Sequence, residues 1–190
     1  MKTKFNQANL ASIYQCRVSL KGILPPIWRR IQIPGDLTLY ELHQVLQVVM
    51  GWENYHLYEF IINGVSYGDP ASGDGDEIKD ARRTRVAEVV AGENSKFIYI
   101  YDFGDDWQHV LKVEKLLPPN PQIRRGICLA GKRACPPEDC GGPWGYLSLL
   151  EALQDPEHEE HEAVLEWVGD DFDPEEFDKE SINRILQQEG

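Results

Sequence analysis

Lys96-Phe97-Ile98-Tyr99-Ile100-Tyr101-Asp102-Phe103-Gly104-Asp105-Asp106-Trp107-Gln108-His109-Val110-Leu111-Lys112-Val113 is the stretch on which the fold turns. Phe97, Tyr99, Tyr101 and Phe103 alternate with Ile98, Ile100 and Asp102. That two-residue period is the pattern of a strand with one covered face. Gly104-Asp105 interrupts the run and Trp107 resumes it, so residues 96–115 read as a long hairpin. A loop of two or of four residues puts Asp102 and His109 on the same face, with Cβ atoms roughly 5–8 Å apart.

Upstream, Ile13–Leu20 and Ile27–Ile33 are rich in β-branched and aromatic residues and flank the bend Lys21-Gly22-Ile23-Leu24-Pro25-Pro26. They read as adjacent antiparallel strands, with Trp28, Arg30 and Gln32 on one face and Arg29, Ile31 and Ile33 on the other. Thr38-Leu39-Tyr40-Glu41 has the spacing of a capping box, and Leu39, Leu42, Leu46 and Val49 form one helical stripe that stops at Gly51. His43 lies beside that stripe and is read as a packed histidine. A strand over Leu57–Asn63 ends at the turn former Asn63-Gly64. Residues 68–80 are turn formers and acids without the spacing of a calcium-binding hand, and read as a solvated loop. Arg82-Arg83-Thr84-Arg85 reads as an exposed basic face. The expected fold class is α+β: a mixed or antiparallel, β-grasp-like sheet (strand–strand–helix–strand–hairpin) under one helix, with a C-terminal acidic helical extension.

Downstream of Pro118-Pro119-Asn120-Pro121 the composition shifts. Residues 138–190 hold 17 acids against Lys179 and Arg184, while residues 1–137 hold 15 acids and 17 bases, so nearly all of the net charge of −13 sits in the C-terminal third. That third is a poor match for nucleic-acid phosphates or an anionic membrane. Residues 143–154 read as a helix. Asp155-Pro156-Glu157 and Asp173-Pro174-Glu175 carry helix-start signals, predicting helices over 156–168 and from 174. The chain reads as a single domain over 1–190, with a sheet region over 11–117 and a Cys-Pro loop plus acidic helices over 122–190 packed on it. No apolar run approaches the roughly 18 residues that span a bilayer, and the polar start Met1-Lys2-Thr3-Lys4 lacks a signal-peptide core, so a cytoplasmic location is expected.

Two segments could carry chemistry. In the hairpin, Asp102, Asp105, Asp106 and His109 are candidate catalytic groups, because a carboxylate near an imidazole can orient it or share a metal with it. The competing reading is a tight acidic turn whose carboxylates cap backbone amides over a packed Trp107. Further on, Cys135-Pro136-Pro137-Glu138-Asp139-Cys140-Gly141-Gly142 brings two thiols together in a stiff loop. Cys135 and Cys140 with His158 and His161 are a candidate zinc set, the histidines falling at i and i+3 on one helical face. Trp107, Glu138 and Asp139 are candidate ligand-binding residues, and Glu138, Asp139 and Asp102 or Asp105 a candidate hard-ion set. Nucleotide-binding fingerprints, a nucleophile elbow and a His-Glu-x-x-His motif are all missing.

Pro25-Pro26-Ile27-Trp28-Arg29-Arg30, Met50-Gly51-Trp52, Tyr101–Trp107 with His109, Cys135–Pro143 and Asp171-Phe172-Asp173-Pro174 occur in that order over roughly residues 11–180. Together they resemble the plasmid pRiA4b ORF-3-like family. The resemblance implies relatives in bacteria and archaea, some near plasmids and transposable elements, but supplies no reaction. Some relatives bear names that imply a resolvase or transposase role. Recombination needs a nucleophile in a cage of arginines on a basic surface, and this chain has scattered serines and an acidic end. The function expected is a non-catalytic protein-interaction or small-ligand-binding domain, its partner a protein with a basic surface or a small ligand, with no direct nucleic-acid binding. The alternatives are a metal-dependent hydrolase, acting on phosphodiesters and associated with mobile elements, and a structural zinc-binding module. The cofactor would be zinc or another divalent metal. Whether the chain is an enzyme stays open.

Overall fold

In the computed structural model, residues 10–72, 78–169 and 172–188 are described. The elements are β1 (Ile13–Leu20), β2 (Trp28–Pro34), α1 (Leu39–Met50), β3 (Tyr58–Ile62), β4 (Val65–Gly68), β5 (Lys79–Asp80), α2 (Val86–Val89), β6 (Lys96–Tyr101), β7 (Trp107–Leu117), β8 (Ile127–Lys132), α3 (Gly142–Gln154), α4 (His161–Val168) and α5 (Lys179–Gln188). The strands form one sheet in the order β5-β4-β3-β6-β7-β1-β2-β8. Every pairing is antiparallel except β4 with β5. The fold is therefore mixed α+β: an eight-stranded, mostly antiparallel sheet with five helices among the described residues.

One face of the sheet is covered. Tyr14, Cys16, Val18, Ile31, Ile33, Phe60, Tyr99, Tyr101, Trp107, Leu111 and Val113 are buried in the same core as Leu39, Leu42, Leu46 and Val49 of α1. Each such aliphatic side chain contributes about 1.5–3 kcal/mol when fully buried. The helix begins where its capping box predicts: Glu41 N–H donates to Thr38 Oγ1 at 3.1 Å, and Thr38 N–H to Glu41 Oε2 at 2.7 Å. It ends at Gly51, whose φ of 104° places it in the left-handed region. Arg29 tethers that end to the sheet. Its buried guanidinium donates to the Val49 carbonyl at 2.7 Å and to Lys132 O at 3.0 Å, and lies over the Phe177 ring. A cation at the C-terminus of α1 also opposes the helix dipole.

Two local expectations are corrected. The hairpin loop has five residues, Asp102 to Asp106, because Tyr101 pairs with Trp107 and Tyr99 with His109. With an odd loop, His109 falls on the covered face and Asp102 leaves the strand, so the two do not share a face. The two Asp-Pro-Glu segments do not start helices at their prolines. Asp155 Oδ1 accepts from Glu157 N–H and Asp173 Oδ1 from Glu175 N–H, side-chain turns that compete with helical bonding. The helices begin later, α4 at His161 and α5 at Lys179, where Asp178 accepts from the amides of Glu180 and Ser181. The centre of the acidic loop expected over 68–80, residues 73–77, lies outside the described residues.

Candidate functional site

Three loops meet at one end of the sheet: the α1–β3 connection, the β6–β7 turn and the Cys-Pro loop before α3. The left-handed backbone of Asn54, Asp102, Asp106 and Asp139, with φ between 53° and 60°, bends each loop sharply. Asn and Asp tolerate that conformation better than other side chains. Hydrogen bonds then lock the loops together. Asp102 N–H donates to the Leu57 carbonyl at 3.0 Å, and Gly141 N–H to Asp105 Oδ2 at 3.1 Å. Gly142 passes so close to the hairpin that a Cβ there would stand 2.5 Å from the Asp105 carbonyl oxygen.

At the meeting point His56 is ringed by carboxylates. Its Nε2 is 3.1 Å from Asp139 Oδ1, 3.7 Å from Asp102 Oδ2 and 3.8 Å from Glu138 Oε2. Two of the acids have one oxygen held by the protein. Glu138 Oε1 accepts from the Tyr101 hydroxyl at 2.9 Å and from Glu53 N–H at 2.7 Å, while Asp102 Oδ1 accepts from Gly104 N–H at 2.9 Å. Their second oxygens face the imidazole. His56 Nε2 and Glu138 Oε2 are both buried and neither forms a hydrogen bond. Asp102 is nearly buried, Glu138 largely so, and Asp139 is open to solvent. The Tyr101 hydroxyl also accepts from Tyr55 N–H at 3.0 Å, and burial, with its bond to Glu138, holds its pKa far above the ordinary tyrosine value. Exposed Tyr55, Leu57 and Phe103 stand beside the ring in sequence.

The candidate residues named from sequence separate into two groups. Asp102 and Asp139 come together at His56, Glu138 faces the same imidazole, and Asp105 holds the Cys-Pro loop through Gly141 N–H. His109 does not. It is fully buried, accepts from the Trp52 indole N–H at 3.1 Å and donates to the Tyr99 carbonyl at 3.3 Å, and burial pulls its pKa down to about 4. Asp106 turns outward, accepts from the Gln108 amide and lines a shallow recess with Lys21 and Trp144. Trp107 is completely buried against Trp52, so it presents no surface to a ligand. Among the described residues the expected zinc set does not form a ligating group: His161 Nδ1 bonds the Ala152 carbonyl, and His158 Nδ1 accepts from Glu160 N–H. Burial pushes the Cys140 thiol up to about 12 and the Cys135 thiol well above its usual range. Among the described residues, the group of three or more ligating side chains whose atoms lie within 4.8 Å of one another is His56, Asp102 and Asp139.

His56 was not legible as a candidate, although a signal existed. Of the five histidines it is the one left outside every expected helix and strand, and loop positions are where binding groups concentrate.

A second polar chain runs behind the site. Gln47 Nε2 donates to the Tyr99 hydroxyl, which donates to His43 Nδ1 at 2.7 Å, and His43 Nε2 donates to Asn54 Oδ1 at 2.8 Å. This packed, neutral histidine, its pKa brought down to about 4 by burial, ties α1 to the loop that carries His56.

The model of the plasmid pRiA4b ORF-3-like protein family matches residues 12–181. Uncharacterized protein y4hQ of Sinorhizobium fredii (strain NBRC 101917 / NGR234) is 41% identical over 179 residues, covering 93% of this chain and 92% of that protein. The crystal structure of MM3350, a protein of unknown function from Methanosarcina mazei Go1, is similar with a TM-score of 0.79 and 43% identity. The match covers 88% of this chain and 96% of that one.

Proposed function

The chain belongs to the plasmid pRiA4b ORF-3-like family, and from that premise we propose that it is a small-ligand-binding domain whose ligand is a divalent cation. The observation that carries this reading is the unpartnered Nε2 of His56 facing three carboxylates at 3.1–3.8 Å. Donor atoms on one zinc-sized ion stand about 3.0–3.5 Å apart, given bonds of roughly 2.0–2.2 Å, so His56, Asp102 and Asp139, whose ligand atoms lie within 4.8 Å of one another, would draw inward around the ion, with Glu138 beside them. Three converging carboxylates repel one another, and a divalent ion offsets that charge more fully than one imidazolium. One imidazole with carboxylates suits Zn²⁺ or Mn²⁺ better than the all-oxygen sites of Ca²⁺ and Mg²⁺. The Tyr101 hydroxyl and the Glu53 and Gly104 amides are the outer contacts that aim the ligands.

Calorimetric titration of chelator-treated protein with ZnCl₂ and MnCl₂ tests the reading. Stoichiometric binding, weakened at least tenfold in His56→Ala, is expected. Equal affinity in that variant, or no binding of either ion, overturns it.

Protein docking is a second reading, favoured by the exposed Leu165 and Trp167 on α4 among Glu162 and Glu166. Such a face attracts basic partners. A pull-down that recovers nothing at low or moderate salt removes it.

A further inference from the structure

Next to the carboxylate ring, and sharing His56 with it, is a second recess of about 190 Å³. Arg82, Tyr58, Asn54, Tyr40 and Asp69 form the walls that matter here. Counting donors and acceptors shows what it lacks. Each acceptor in the wall already carries a bond: Asp69 Oδ1 takes Ala71 N–H at 3.0 Å, Asp69 Oδ2 takes Arg82 Nη1 at 2.9 Å, and Asn54 Oδ1 takes His43 Nε2.

Donors remain. Arg82 bonds through Nη1, which leaves most of the five N–H groups of its guanidinium for a guest, and its Cζ sits 4.5 Å from the centre of the Tyr40 ring. The Tyr58 hydroxyl is buried and has no partner at all. Its ring cannot swing away to find one, because it is stacked on His43 at 3.7 Å with the planes 8° apart. A buried hydroxyl left unpaired is costly, and a guest acceptor would relieve it.

A recess with a partly free guanidinium and an orphan hydroxyl suits an anionic oxygen that can meet both donors. The volume is below the roughly 300–1,000 Å³ of drug-sized sites, which limits the guest to a few carbons. We propose that this recess binds the carboxylate of a small organic acid, gripped by Arg82 and the Tyr58 hydroxyl, with the acid's remaining oxygens directed to the cation at His56. The second half of this inference rests on the cation reading; the first half stands on the recess alone.

Calorimetry on the full chain, with and without saturating MnCl₂, tests it using acetate, malonate, succinate and inorganic phosphate as probes. A dicarboxylate should bind the Mn²⁺-loaded protein more tightly than acetate does. Arg82→Ala, a half-exposed position, should weaken that binding at least tenfold while Mn²⁺ affinity stays unchanged. Tyr58→Phe should weaken it several-fold with a melting temperature equal to or above wild type, since no existing bond is lost. If Mn²⁺ binds but no acid does, or if Arg82→Ala binds acid as wild type does, the inference falls and the cation reading survives. If Mn²⁺ fails to bind while acid binding stays sensitive to Arg82, the cation reading falls and the carboxylate grip stands. Phosphate binding in place of every carboxylate overturns the assignment to organic acids.

Discussion

Tyr101 shows how much a single hydroxyl can organise. It donates to Glu138 and accepts from the Tyr55 amide, so it joins the Cys-Pro loop to the loop carrying His56. Tyr101→Phe should lower Zn²⁺ or Mn²⁺ affinity about tenfold, the usual cost of losing an outer contact to a ligand. It should also destabilise the metal-free protein by about 1–3 kcal/mol. Saturating metal should recover part of the lost melting temperature, which a purely structural role would not allow; parallel scans with and without ZnCl₂ check this. At this scale the sequence was half legible. Asp102, Glu138 and Asp139 stood out because acids in Gly- and Pro-bounded turns are conspicuous, whereas His109 misled. An even loop would hold it on the face of Asp102, and the one further residue in the turn places it against Trp52, where an imidazole is a packing group.

Between elements, side-chain bonds to backbone form a seam that ties α5 to β8. Asn183 uses both ends of its amide on one residue: Oδ1 accepts from Cys128 N–H at 2.7 Å, and Nδ2 donates to the Cys128 carbonyl at 2.9 Å. Both are bonds to strand backbone that a neighbouring strand would otherwise supply. Asn183→Ala should destabilise the fold by about 1–3 kcal/mol, read as a lower urea midpoint with an unchanged slope, and Asn183→Asp should fail to rescue it because the donor is missing. Helix α1 and strands β1, β2, β6 and β7 could be read from period and capping alone, since their signals are local. The seam could not, because a lone Asn on an amphipathic helix looks like any solvated polar residue. The Asp-Pro-Glu segments failed for a related reason: the side chain that caps a helix also closes a turn, and only the residues downstream decide between them.

Over the whole molecule, two buried neutral histidines set the response to acid. His43 and His109 have folded pKa values of about 4, below the ordinary histidine value of 6.5, and burial is the main cause for both. The unfolded chain therefore binds more protons than the folded one between those values. Stability is full above pH 6.5 and is lost as pH falls towards 4, with a limiting slope of about 2.7 kcal/mol per pH unit for two groups. Urea titrations between pH 7 and 4.5 should show the midpoint dropping across this window, and a flat profile down to pH 5 would contradict the burial of these rings. What lay beyond sequence here was the convergence of loops from residues 56, 102 and 138, a product of strand order rather than of any local pattern. That same order leaves the sheet with two quiet margins: on one side the two-residue β5, on the other a strand already answered by Asn183. Among the described residues, β5 gives a neighbouring strand only two residues to pair with, and on β8 Asn183 already occupies both backbone groups of Cys128, two ways of blunting a sheet edge.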